Sequence, residues 1–190
     1  MEALLGIFSA FGLSFSAGLN AYIPLLVVAL LARYTDLIHL SAPWDTLASP
    51  WVIGVLVLLL LIETFADKVP AVNHANDLLQ TLVRPVAGAI AFAAASGVIG
   101  EIHPALALVA GLLVAGGVHT VKSAAVRPAV TAATGGAGNV PVSIAEDLLS
   151  TLLSILAVVI PLLLAMLVIL LTSWLVWRLW RRPSRPRPAR

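Results

Sequence analysis

Cysteine is absent from the 190 residues, which excludes disulfides, thiolate metal sites and a cysteine nucleophile together. Charge is scarce as well: Asp, Glu, Lys and Arg make up 11% of the chain, against roughly 25% in ordinary soluble domains. Acids are missing altogether from the last thirteen residues, which carry Arg178, Arg181, Arg182, Arg185, Arg187 and Arg190. The formal net charge of +2 therefore divides into +6 for that tail and −4 for residues 1 to 177. What is abundant is apolar. With 61% hydrophobic residues and a mean hydropathy of +1.05, a water-soluble, disordered or collagen-like chain is excluded, and the composition is that of an integral membrane protein.

Uncharged stretches occupy residues 3 to 32, 46 to 62, 85 to 100, 102 to 121 and 148 to 177. A helix needs about 20 apolar residues to cross hydrocarbon, so each stretch can cross with flanking residues recruited, and the first and last exceed one simple crossing. The expected fold is an all-α integral membrane protein with five or six transmembrane or re-entrant helices, including two repeated helical hairpins. One membrane domain covers 1–177, made of an N-terminal segment (3–33) and hairpins 50–98 and 104–177; residues 178–190 form a basic, disordered tail.

The first stretch has no basic n-region and outruns a signal-peptide core, so it is expected to be retained. Ser16-Ala17-Gly18-Leu19-Asn20, with Pro24 beyond, interrupts it either as a kink in one span or as two half-helices meeting inside the membrane. Ser9, Ser16 and Asn20 share a helical face, which suits a small-residue helix contact or part of a broken-helix site. After a polar connection with Trp44, the next span runs from about Pro50 to Ala66, residues 67–76 form a polar tip, and residues 77–98 return. Residues 104 to about 124 cross again towards a second tip, 125–142, with its run Thr134-Gly135-Gly136-Ala137-Gly138-Asn139. Ser143 and Glu146 have the spacing of a capping box and predict a helix start, which continues through Pro161 to the Trp174, Trp177 and Trp180 belt. The arginine tail is expected in the cytoplasm, which leaves both tips outside if residues 143–177 cross once; Lys68, Lys122 and Arg127 at the tips argue the other way.

The chain also resembles itself. Glu63-Thr64 matches His119-Thr120, Lys68-Val69-Pro70-Ala71-Val72 matches Val126-Arg127-Pro128-Ala129-Val130, and Asp77-Leu-Leu-Gln-Thr-Leu matches Asp147-Leu-Leu-Ser-Thr-Leu. Leucine-rich matches arise by chance, whereas ordered polar and proline matches point to a duplicated hairpin. One connecting turn gives both copies the same orientation, with an axis along the membrane normal. Asp77 then faces Asp147, and Glu63 lies near His119.

Asp77, Thr81 and Arg84 share one helix face at spacings of four and three. A lone charge at the depth of Arg84 costs several kcal/mol, so it must face protein or water. Two readings stand: an Asp77–Arg84 ion pair that locks the hairpins, or a polar pocket in which Arg84, Lys68, Lys122 and Arg127 attract an anion while Asp77 and Asp147 carry protons or a cation. Facing aspartates share a proton or bind a cation, whereas the simpler alternative has each capping its own helix. Asn20, Asn73 and Asn139, with Glu63 and His119, complete the candidate substrate-binding set. No metal set, cofactor motif or catalytic nucleophile is found: the four histidines lack ligand spacing, the glycine run lacks a P-loop ending, and G-x-S-x-G is absent. The tail is too short and too poor in aromatics to bind nucleic acid, so membrane lipids are the expected partners, together with further copies of the chain or a membrane complex.

At S-A-G-L-N-A-Y-I-P (16–24), E-T-F-A-D-K-V-P-A-V-N-H-A-N-D (63–77), R-P-V-A-G-A (84–89) and the stretch from His119 to Asp147, the chain resembles a bacterial membrane family catalogued as domain of unknown function 4126. The resemblance covers nearly everything to about residue 170. It implies a small, multi-pass protein of the bacterial inner membrane and assigns no catalytic or binding residue. From the residues themselves, the expected role is a transporter or channel for a small ion or an anionic or zwitterionic substrate, lipid headgroups included. The alternatives are an assembly subunit and, third, an intramembrane enzyme.

Overall fold

A computed structural model describes residues 2–66, 70–96 and 103–180, side chains excepted at 2–5, 70–75, 77, 78, 96 and six positions in the last helix. All regular structure among the described residues is helical. The order is α1 (Glu2–Leu19), α2 (Tyr22–Tyr34), a 3-10 turn (Trp44–Ala48), α3 (Pro50–Ala66), α4 (Pro70–Ser96), α5 (Pro104–Val121), a π turn (Lys122–Val126), α6 (Arg127–Thr134) and α7 (Asn139–Trp180).

The N-terminal segment is two helices, and two residues, Asn20 and Ala21, separate them. The Asn20 backbone N–H donates to the Ser16 carbonyl at 3.0 Å and closes α1. Its side-chain carbonyl accepts the N–H groups of Tyr22 (3.0 Å) and Ile23 (3.1 Å) and opens α2. Pro24 then falls in the first turn of α2, where a missing donor leaves no bond unmade. From this break α2 doubles back: Leu25, Val28 and Ala29 share one core with Leu13, Ala17, Ala87, Ala91 and Val158. Trp44, ten residues past α2, packs on Ala10, Phe92 and Ala107.

α1 is the central strut. It lies between α4, α5 and α7, with Phe11 edge-on to Phe92, Ser14 donating to the Gly111 carbonyl at 2.7 Å, and Ser16 meeting Ser150 and Ser154. These contacts set α5 parallel to α1, and α4 and α7 antiparallel to it. The backbones approach closely because the crossing points are glycine. A Cβ at Gly111 would meet the Ala89 Cα and the Phe92 Cβ at 2.7 Å, and the Gly88 carbonyl oxygen closer still. Gly111→Val should therefore destabilise the detergent-solubilised protein by about 1–3 kcal/mol as α4 is pushed off α5. Gly54→Ala, which enters open space, is the control that should leave the melting temperature unchanged or raised.

Three boundaries differ from the sequence reading. α4 begins at Pro70 rather than at residue 77, since proline fits a first helical turn and the polar residues after it have no reason to break one. Helix also continues past residue 124 to Thr134. Pro128 lacks an N–H and crowds the preceding turn, and the wider π turn just before it relieves that crowding. The second tip shrinks to Gly135–Gly138, with Gly135 and Gly136 at φ 62° and 93°, a left-handed ending that glycine adopts at little cost. α7 starts at Asn139, so Ser143 and Glu146 lie inside it and form no capping box.

The expected hairpins are not self-packed units: α3 barely touches α4, and α5 and α7 leave a gap floored by α1. Along α3, α4, α5 and α7 large apolar side chains face outward and charged ones are buried. Leu58, Leu82, Leu113, Leu148 and Ile169 face outward, while Glu63, Arg84, His119, Lys122 and Arg127 are buried. The stretches Pro104–Thr134 and Asn139–Pro161 are long and apolar enough to cross a membrane.

Candidate functional site

Three helices bring their polar ends to the depth of the Asn20 break. Arg84, about four turns into α4, is 1% exposed. One amino group of its guanidinium donates to Glu63 Oε1 at 2.9 Å from the end of α3. The other lies 3.4 Å from His119 Nδ1, at the end of α5. Arginine has no acceptor, so Nδ1 must be the bare nitrogen; the ring proton then sits on Nε2, facing Thr81 Oγ1 at 3.2 Å. Tyr22, in the first turn of α2, stands beside Glu63, Gln80 and Arg84. The Glu63–Arg84–His119 group thus ties α3, α4 and α5 together. The end of α3 meets α4 at the level of Arg84 and supplies Glu63 as a carboxylate partner, while the expected partner Asp77 has its side chain outside the described residues.

A second group surrounds Glu146. Its Oε2 accepts Lys122 Nζ at 2.6 Å and an Arg127 amino group at 3.2 Å, and Arg127 also reaches Ser143 Oγ at 3.5 Å. In an α-helix, residues five apart point about 140° away from each other. Here the intervening turn is π, with the Arg127 N–H bonded to the Lys122 carbonyl, and i→i+5 bonding brings the two cations onto one side. Lys122 donates further to the Leu19 carbonyl at 3.0 Å, placing a cation on the negative C-terminal end of α1.

Between the groups runs a polar seam of α1 and α7. Ser16 Oγ donates to the Ser150 carbonyl at 2.7 Å and contacts the Ser150 and Ser154 hydroxyls at 2.8 and 2.7 Å, all fully buried. One turn on, the Asn20 amide nitrogen donates to Asp147 Oδ1 at 2.9 Å. The break residue therefore holds α2 with one end of its amide and an accessible carboxylate with the other. Two cavities flank α7 here. One of about 530 Å³ lies between α5 and α7 and is apolar apart from Lys122 and Glu146. The other, about 360 Å³, lies towards the end of α3, lined by Thr64, Ser143, Asp147 and Thr151 among others. Glu63, Arg84 and His119 line neither.

Residues 7–182 match the family model described as Domain of unknown function (DUF4126). The chain belongs to this family. No curated protein and no solved structure matches it.

The DUF4126 stretches that stood out in the sequence, around Asn20, Glu63, Arg84 and 119–147, are those that supply the buried polar groups. The full candidate set does not converge on one site. Glu63, Arg84 and His119 form one group, Lys122 and Arg127 join Glu146 in another, and Asn20 with Asp147 makes a third contact between them. Asn139 stands apart, donating to Thr131 Oγ1 at 2.9 Å and tying the start of α7 to α6. Lys68 lies outside the described residues, and so do the side chains of Asn73 and Asp77 on α4. Neither aspartate caps a helix: Asp77 and Asp147 each lie two turns inside theirs. Glu146, Ser150, Ser154 and Tyr22 were missed as site residues. The 143, 146, 150, 154 spacing, a polar stripe on an otherwise apolar helix, was the available signal for the first three.

Proposed function

We propose that this protein is embedded in the bacterial inner membrane and moves a small ion or an anionic or zwitterionic substrate, with no enzymatic role, past the Asn20 break. Support for the membrane comes from the inverted polarity, since leucine-rich outer faces suit hydrocarbon and buried charges do not tolerate it unpaired. α7, at 42 residues and about 1.5 Å each, exceeds even the ~45 Å of a full bilayer. Its end, where Arg178 stacks 5.2 Å over Trp174, fits an interface followed by the cytoplasmic arginine tail. With α1 and α2 as a re-entrant pair, the Trp44 end shares the tail's side and the break points outward. A duplicated origin of α3–α4 and α5–α7 is part of this reading, supported by α1 lying antiparallel against both return helices.

The observation that carries the reading is the Asn20–Asp147 contact: a discontinuous helix whose capping residue also binds a carboxylate that lines a cavity together with Thr64, Ser143 and Thr151. Discontinuous helices with exposed ends are how many transporters make ion sites. Reconstitution into liposomes with flux assays for protons, simple ions and fluorescent phospholipids tests it. Asp147→Asn keeps an acceptor for Asn20 and should keep the melting temperature within a few degrees while abolishing flux. Unchanged flux in this variant, or no flux of any solute by the native protein, would falsify the proposal. The dry Glu63–Arg84 pair favours a second reading, an assembly subunit, which predicts a protein silent in liposomes that co-purifies with a membrane partner.

A further inference from the structure

We propose that the cavity between the end of α3 and α7 binds a small alkali cation at the Asp147 carboxylate and the hydroxyl oxygens of Thr64 and Thr151. This rests on the transport reading above and selects a monovalent cation among the substrates it allows. The polar groups on the walls are Thr64, Ser143, Asp147 and Thr151. What decides the sign of the ligand is where the hydroxyl protons go. Thr64 Oγ1 donates to the Leu60 carbonyl and Thr151 Oγ1 to the Asp147 carbonyl, both at 2.8 Å and both one turn back along their own helices. A hydroxyl has a single proton and two lone pairs, so each threonine keeps only acceptor capacity for a ligand in the cavity.

The Asp147 carboxylate accepts as well. It has about four lone-pair positions, so the bond from the Asn20 amide at 2.9 Å and its other contacts can coexist with a bound cation. Among the described residues that line the cavity none is basic, and Arg127, which reaches Ser143 at 3.5 Å, is not part of the lining. An anion here would meet three side chains, Thr64, Asp147 and Thr151, with no proton to offer it, whereas a cation meets three ligands. Charge and ligand type narrow the cation further. One carboxylate with neutral hydroxyls balances a single positive charge, while calcium draws on about 6–8 oxygen ligands. Zinc and copper favour nitrogen or sulfur donors, and the described lining contains neither histidine nor a second acid.

Thr151 supplies the test, because it is exposed to the cavity side and its only bond shown is to its own helix, so its oxygen can be removed without cutting a contact between helices. The full-length protein, purified in mild detergent, is equilibrated with radiolabelled sodium at constant ionic strength, with choline as the competing cation and gluconate as the replacement for chloride. The native protein should bind sodium saturably, choline should not displace it, and gluconate should leave it unchanged. Thr151→Val should weaken binding by about fivefold or more at an unchanged melting temperature, and Thr151→Ser, which returns the oxygen, should bind within about twofold of native. Thr64→Val, on the facing helix, gives the same readout independently. The absence of saturable sodium binding by the native protein overturns the proposal, as does binding that both valine variants leave intact, or binding that follows chloride. Binding needs no flux: sodium held by a protein that carries nothing in liposomes sinks the transport reading alone, and flux of protons or phospholipid without sodium binding sinks this one alone.

Discussion

Arg84→Gln should cost about 3 to 5 kcal/mol of stability, the largest loss expected of any single exchange, because it takes the guanidinium away from the buried Glu63 carboxylate. Glutamine is a good helix former, so α4 keeps its propensity and the loss reports on the interaction. Arg84 is 1% exposed and Glu63 2%, which removes the solvent screening that makes surface pairs weak. Glu63→Gln with Arg84→Gln should recover part of the loss, since two amides can bond to each other and neither carries a charge to desolvate. Scanning fluorimetry of both single variants and the double in detergent gives the coupling directly. Additive losses, or an Arg84→Gln protein that melts with the native one, would show that the pair does not lock α3 to α4. Flux, by contrast, should fall only as far as folded protein falls, because Arg84 lines neither cavity.

Glu146→Gln should be nearly as damaging, and by a different route. Lys122 and Arg127 converge on one oxygen of Glu146, so neutralising it removes the carboxylate that holds two buried cations side by side. A loss of about 3 to 5 kcal/mol is expected. The repulsion bears on the π turn, so amide hydrogen exchange over 122–134 should rise more than over α4. Uniform exchange across the protein, or a native-like melting temperature, would sink this account of the π turn. The contrast with the next residue is sharp: Asp147→Asn is expected to spare the fold and Glu146→Gln to lose it. Glu146 turns into the buried face of α7, and Asp147, one residue on, looks onto a cavity.

Much of this organisation is local and was legible in the amino-acid order. Runs without charge became helices, Pro50 to Ala66 among them, because apolar length and helix propensity act within a turn or two. The interruption around Asn20 could be seen from its polar residues and Pro24. Its outcome could not: kink and hairpin share the same local sequence, and burial of Leu25, Val28 and Ala29 against α4 and α7 decides between them. The polar residues of the site could be named individually for the same local reason, since each is a charge or amide in an apolar setting. Their partners belong to the tertiary structure. Arg84 meets Glu63 across 21 positions and His119 across 35, and no periodicity reaches that far. Lys122 and Arg127 would point apart in an ordinary helix, and a single π turn, stabilised where Glu146 of another helix waits, reverses that. Composition and periodicity determined which residues had to be helical and which had to be paired. The packing of α1 among α4, α5 and α7 alone decided the pairs, because a buried charge takes whichever opposite charge the folded backbone brings within 3 Å or so.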